Sequence, residues 1–163
     1  MRKAVAFTGP SGSGKTTLIV KIAQELAPRK KVAIIKHDPK DKARFDTDGK
    51  DSDRFFKTGA QTVVISPTRT TFFSHKTSAI DEAIRLLGDF DYLFVEGLKE
   101  LPLPRIAVFR NAIDESYFGF TQAIAIDETI DLKKCKIPEG VDALNLNDPR
   151  LVLEWIDRRA KEV

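Results

Sequence analysis

The stretch Gly9-Pro10-Ser11-Gly12-Ser13-Gly14-Lys15-Thr16 decides the fold of this chain. It matches the phosphate-binding pattern G-x-x-x-x-G-K-[ST] at every fixed position, and it stands between an apolar strand-like run and an amphipathic helical pattern. Glycine permits the positive φ angles that turn backbone N–H groups inward around an anion, and the helix N-terminus adds partial positive charge at the same point. The stretch therefore predicts a P-loop that holds nucleotide phosphates.

The residue types of the P-loop predict which group Lys15 and Thr16 each bind. Lys15 supplies a mobile full charge for the β- and γ-phosphates, and the hydroxyl of Thr16 is a hard oxygen ligand suited to Mg²⁺. The predicted nucleotide-binding residues are Gly9, Ser11, Gly12, Ser13, Gly14, Lys15, Thr16 and Thr17.

The rest of the chain alternates short apolar runs with longer runs of helical period, which is typical of a sheet whose crossovers are helices. Strands are predicted at residues 4–8, 32–36, 62–66, 92–96, 106–109 and 123–126. Helices are predicted from Lys15 until Pro28 stops the pattern, over 81–87, and over 149–161 with Trp155 facing the core. Most of the strands are nearly continuous apolar runs, as in a parallel sheet covered on both faces. The predicted fold class is α/β, a P-loop NTPase with a mostly parallel central sheet flanked by helices.

Charged residues end two of the predicted strands, at the sheet edge where a P-loop would lie. Lys36 ends the second strand and is a candidate, with Lys15, for stabilising charge on a transferring phosphoryl group, and His37 is the alternative to Lys36. Glu96 ends the apolar run Tyr92-Leu93-Phe94-Val95 and resembles a Walker B acid, which predicts a Mg²⁺ ligand. The polar stretch 38–58 offers a further metal ligand in Asp48, with Asp51 as the alternative.

Length and composition exclude several classes of protein. A chain of 163 residues with 42% apolar and 31% charged residues is predicted to form a single domain over residues 1–163, neither disordered nor membrane-embedded. Its net charge of +3 is too small and too dispersed to indicate a nucleic-acid partner. The single cysteine, Cys135, suits a reducing compartment, so we expect a cytoplasmic protein.

Taken together, these motifs resemble those of the MobB family, the GTP-binding adaptor proteins of molybdopterin guanine dinucleotide synthesis. The resemblance covers roughly the first 110 residues. It runs through "GPSGSGKTTLI" (9–19), "KHD" (36–38), "DGKDS" (48–52), "TGA" (58–60), "SPTRT" (66–70) and "VEGLK" (95–99). The chain departs from the family pattern after "KHD", where it is poorer in histidine, and at Asp48, where the family has proline.

The resemblance implies a guanine-nucleotide binder with at most weak GTPase activity, with GTP and Mg²⁺ as its ligands. It also implies a homodimer that assists the guanylyltransferase joining GMP to molybdopterin, with molybdopterin or the molybdenum cofactor itself as a further candidate ligand.

Guanine recognition generally requires a carboxylate that accepts from both the ring N–H and the exocyclic amine. The sequence contains no N-K-x-D motif. Asp127, directly after the predicted strand 123–126, is the candidate by topology.

Three other activities compete with this prediction. Dethiobiotin-synthetase-like ligases also combine a P-loop, a lysine closing the second strand and a "VEG" acid, and they use ATP to activate a carboxylated substrate. A small-molecule kinase would need an arginine-bearing lid, and the basic stretch 133–136 contains no arginine. A binding module that nucleotide binding switches, without turnover, differs from the adaptor mainly in its rate of nucleotide hydrolysis.

Overall fold

The structure, a computed structural model, describes residues 2–163. Its contacts divide the chain into two compact units, one made of residues 2–37 and 87–163 and the other of residues 38–86. The single-domain organisation over 1–163 stays a prediction. None of the helices in the described part of the chain is long and apolar enough to cross a membrane.

The described chain contains both strands and helices throughout. In chain order the strands are β1 (Lys3–Thr8), β2 (Val32–Lys36), β3 (Thr62–Ile65), β4 (Thr70–Phe73), β5 (Tyr92–Glu96), β6 (Arg105–Phe109), β7 (Ala123–Ile126), β8 (Asp142–Asn145) and β9 (Lys161–Glu162). The helices are α1 (Lys15–Leu26), α2 (Asp51–Lys57), α3 (Ile80–Leu86) and α4 (Pro149–Arg159), with 3₁₀ turns at Glu115–Phe120 and Leu132–Lys134.

The larger unit is built on a parallel sheet of order β2-β5-β1-β6-β7-β8, to which β9 adds an antiparallel pairing with β1. β1, β6 and β7 are buried along almost their whole length, as their continuous apolar sequences predict. The α/β P-loop NTPase fold with a mostly parallel sheet is thus confirmed.

Helices α1 and α4 pack on one face of this sheet. Leu18, Ile19, Ile22 and Leu26 recur at helical spacing on α1, and all four are buried against the sheet. On α4, Val152, Trp155 and Ile156 are buried, so Trp155 belongs to the core as predicted. Asp148 begins α4 by accepting hydrogen bonds from the backbone N–H groups of Arg150 and Leu151.

The smaller unit contains a two-stranded antiparallel sheet, β3 paired with β4. The apolar run predicted as a strand at 62–66 therefore forms a strand outside the parallel sheet, and three of its four residues are exposed. Within the polar stretch 38–58, where the sequence predicts no helix, residues 51–57 form the helix α2. Its aspartates in the first turn and its basic residues in the last turn complement the helix dipole.

Candidate functional site

The P-loop leaves β1 and enters α1 in a conformation that requires glycine at two positions. Gly9 has φ of 133°, and a Cβ atom there would lie 2.3 Å from the carbonyl oxygen of Val108 on β6. Gly14 has φ of 95° and is the N-cap of α1. The N–H groups of the first helical turn have no acceptors within the helix, and that turn carries no acidic residue. The loop therefore presents an uncompensated positive end that suits an anion.

Lys15 folds back on the P-loop. Its ammonium donates to the carbonyl oxygens of Gly9 at 2.9 Å and Pro10 at 2.7 Å. Burial lowers the pKa of Lys15, Glu96 opposes this effect, and the nearby charge of Lys36 adds to it. The side chain is thus held over the loop by two neutral acceptors that phosphate oxygens could replace.

Three neighbouring strands bring the other charged candidates to the same edge. Glu96 on β5 stands in register with Phe7 on β1 and with Lys36 on β2. The ammonium of Lys36 lies 3.9 Å from a carboxylate oxygen of Glu96, which is 17% exposed against 64% for Lys36. The structure thus places Lys15, Lys36 and Glu96 at one end of the parallel sheet, as strand polarity predicts.

The residues at this edge fit a magnesium ion bound together with a nucleotide. Among residues 2–163, no three His, Cys, Asp or Glu side chains are grouped so that they could hold a metal ion by themselves. A hydroxyl from Thr16 and a carboxylate from Glu96 are the hard oxygen donors that Mg²⁺ prefers, and Mg²⁺ commonly takes its other ligands from phosphates and water. The donor set therefore fits a metal that arrives with its nucleotide.

The turn after Glu96 is held by a buried arginine. Gly97 and Leu98 both have positive φ, at 92° and 50°. The guanidinium of Arg105, 1% exposed, donates to the carbonyl oxygens of Gly97 and Leu98, each at 2.8 Å. Arg105 thereby fixes the backbone that follows the candidate metal ligand.

A second cluster lies at the ends of β6 and β7. Asp127, directly after β7, has a side chain only 7% exposed and forms an ion pair with Arg110 at 3.0 Å. Its other carboxylate oxygen accepts from the hydroxyl and the backbone N–H of Thr129. These hydrogen bonds, chiefly that from the hydroxyl, lower the pKa of Asp127, so it is a carboxylate at neutral pH.

Comparison with known proteins identifies the family. The family model "Molybdopterin guanine dinucleotide synthesis protein B", MobB, matches residues 4–127 of the chain, which include the P-loop, Lys36, Glu96 and Asp127.

The chain belongs to the MobB family.

Three relatives illustrate the relationship. The chain is 28% identical to the molybdopterin-guanine dinucleotide biosynthesis adapter protein of Escherichia coli K12, over 95% of this chain and 94% of that protein. It is 34% identical to the adapter protein of the same name from Haemophilus influenzae, over 65% of this chain and 62% of that one. The crystal structure of Bacillus subtilis MobB superposes with a TM-score of 0.78 at 22% identity, over 98% and 99% of the two chains.

Asp48, the third predicted metal ligand, belongs to the smaller unit. It is exposed, and its carboxylate lies 3.3 Å from the ammonium of Lys57 and 3.8 Å from a guanidinium nitrogen of Arg44. Its role as a metal ligand, and that of Asp51, stays a prediction.

Our sequence analysis missed Arg105 and Arg110. The sequence could have indicated Arg110, because this residue directly follows a buried apolar strand and so lies at the sheet edge that carries the P-loop. Arg105 carried no comparable signal, since a basic residue before an apolar run usually marks an exposed strand start.

Proposed function

We propose that this chain is a GTP-binding adaptor of molybdopterin guanine dinucleotide biosynthesis. The observation that carries the proposal is the convergence of Lys15, Lys36 and Glu96 beside the P-loop, in a chain that the MobB family model matches. The relatives named as adapter proteins support this reading of the pathway.

In the proposed complex the P-loop, from Gly9 to Thr17, holds the triphosphate. Lys15 exchanges its two carbonyl acceptors for β- and γ-phosphate oxygens, and Lys36 adds a second positive charge. Thr16 and Glu96 hold Mg²⁺ directly or through water, with Asp48 as a further candidate ligand. Asp127 accepts from guanine, which distinguishes GTP from ATP.

Hydrolysis by the chain alone should be slow. Glu96 has the ammonium of Lys36 3.9 Å from its carboxylate, and in the proposed complex it serves as a metal ligand rather than as a base for the attacking water. Efficient phosphoryl transfer also requires a water held in line with the γ-phosphate. We therefore propose a weak GTPase whose catalytic contributions come from Lys15 and Lys36, and whose partner is the guanylyltransferase that joins GMP to molybdopterin.

We also propose that the protein is a cytoplasmic homodimer. The smaller unit supports the dimer because Val63, Ile65 and Phe72 on its two-stranded sheet are 52%, 79% and 45% exposed. Apolar side chains grouped in this way on a surface commonly mark a protein interface. Sedimentation of the wild type and of Ile65→Asp tests this: the variant should shift toward monomer, and a monomeric wild type would contradict the dimer.

Calorimetric titration with GTP and with ATP, each with Mg²⁺, tests the central proposal. GTP should bind more tightly than ATP, and Lys15→Ala should abolish binding of both. Micromolar affinity in that variant would contradict the P-loop assignment. A preference for ATP would instead support a ligase of the dethiobiotin-synthetase type.

A further inference from the structure

Arg110 lies between the P-loop and the candidate base-recognition residue. Its Nε is 3.0 Å from Oδ2 of Asp127. The same guanidinium lies beside Gly14, where a Cβ atom would come 3.5 Å from Nε and 3.6 Å from Cζ of Arg110. One arginine therefore pairs with the carboxylate and lies beside the loop that leads into α1.

The hydrogen-bonding capacity of Asp127 is largely taken up in this arrangement. A carboxylate oxygen has two in-plane lone pairs. Both lone pairs of Oδ1 have a donor in Thr129, one the hydroxyl and the other the backbone N–H. Oδ2 has Arg110 as its partner. Guanine, with its ring N–H and exocyclic amine, presents two donors side by side and needs acceptors on this same carboxylate.

The two partners of Asp127 differ in how easily they can leave. Thr129 is fixed within the same turn, and its hydroxyl also accepts from the backbone N–H of Asn111 at 2.7 Å. Arg110 has a long side chain that is 42% exposed and so has solvent to move into.

We propose that Arg110 is a specificity-determining residue that competes with guanine for Asp127 and leaves Oδ2 when GTP binds. This inference rests on the proposed function, in which Asp127 recognises guanine. In the free protein the ion pair balances the charge of a nearly buried carboxylate. In the complex the two N–H donors of the base take the place of the guanidinium. Adenine presents no such pair of donors and would leave the ion pair in place.

The ratio of ATP to GTP dissociation constants tests the proposal. Both nucleotides carry the same triphosphate, so the contacts of the P-loop with the phosphates cancel in this ratio. We expect Arg110→Met to raise the preference for GTP by about three- to fivefold, the effect of removing a half-exposed ion pair. Arg110→Gln should give the same direction. In an Asp127→Asn background, Arg110→Met should leave the ratio unchanged.

Arg150→Met provides the matched control. Arg150 on α4 is 82% exposed and forms an ion pair at 3.3 Å with Glu25 on α1. Neither residue belongs to the P-loop or to the candidate base-recognition site, so removing this ion pair should not change the ratio of dissociation constants. A ratio that stays constant or falls in both Arg110 variants would overturn the competition. The proposed function fails separately: it fails if the wild type shows no GTP preference, or if Asp127→Asn keeps the preference. A preference lost in Asp127→Asn but unaltered by Arg110 variants overturns only the present inference.

Discussion

The guanidinium of Arg105 donates a 2.8 Å hydrogen bond to the carbonyl oxygen of Gly97, the residue directly after the candidate metal ligand Glu96. A second bond of the same length reaches Leu98. Leu98 has a φ of 50°, which costs a residue with a Cβ about 1–2 kcal/mol. The buried charge thus stabilises a strained turn at the edge of the nucleotide site.

Replacing Arg105 by methionine should lower the free energy of unfolding by about 2–4 kcal/mol, because two carbonyl oxygens lose their donor in a buried environment. Urea denaturation measures this change. Arg150→Met, which removes a surface ion pair, should cost no more than about 1 kcal/mol. Equal losses in the two variants would contradict a special role for Arg105.

Gly9→Ala should destabilise the protein and abolish GTP binding, because a Cβ atom would lie 2.3 Å from the carbonyl oxygen of Val108. Gly140→Ala is the matched control. Gly140 also has positive φ, 84°, but a Cβ atom there meets nothing within 4 Å. Strain at positive φ predicts about 1–2 kcal/mol for the control, so the excess measured for Gly9 in thermal unfolding reports the collision together with the added backbone strain at its φ of 133°.

As the pH is raised, nucleotide affinity should begin to fall at a lower pH than it would if Lys15 had the usual pKa of a lysine. The pKa of Lys15 in the free protein lies below its usual value, mainly because the ammonium is partly buried. As the pH rises through that lowered pKa, the protein loses the charge that binds phosphate. ATP is the better ligand for this titration because adenine does not release a proton there. In Lys15→Arg the guanidinium stays charged, so whatever affinity remains should not show this loss.

Glu96→Gln should leave the affinity for GTP without Mg²⁺ nearly unchanged and remove the gain that Mg²⁺ provides. The physical reason is that an amide keeps the shape of the side chain but lacks the charge that a hard divalent cation prefers. Calorimetry with and without Mg²⁺ measures the difference. Asp91→Asn is the control, since Asp91 precedes the same strand and accepts from the backbone N–H of Lys31. An unaltered Mg²⁺ response in Glu96→Gln would remove Glu96 from the metal site.

Asp157 should make stability depend on acidity. It accepts hydrogen bonds from Lys3 and from the hydroxyl of Tyr92, each at 2.6 Å. Burial raises the pKa of Asp157, but these two bonds outweigh it, and the net pKa is below its ordinary value.

A folded-state pKa below the unfolded value stabilises the protein above the unfolded pKa of about 3.9, and this contribution is lost as the pH falls through the folded pKa. Asp157→Asn should therefore be about 1 kcal/mol less stable than the wild type at pH 7. The difference should shrink below about pH 4. If the difference in free energy of unfolding between Asp157→Asn and the wild type stays constant down to pH 2, the effect does not arise from the ionisation of Asp157.

Local patterns predicted the elements of the parallel sheet well. β1, β5 and β7 carry continuous apolar runs and are buried along almost their whole length, as such runs require. The bounds of these strands and of β2 agree with the prediction to within one residue. β8 was missed because its residues alternate between partly buried and exposed positions at the end of the sheet, so it lacks such a run. Helix α2 was missed because none of its residues is buried, so no apolar period marks it.

The sequence by itself determined the P-loop and the family, because a turn that cradles phosphate requires glycine, lysine and threonine at fixed local spacing. It also determined that Lys36 and Glu96 share an edge with that loop, since strand polarity follows from the alternation of strands and helices. Only the tertiary structure decided the partners of Arg105 and Arg110. Their contacts join residues that are separated along the chain. Such contacts arise from tertiary packing, which leaves no periodic pattern in the local sequence.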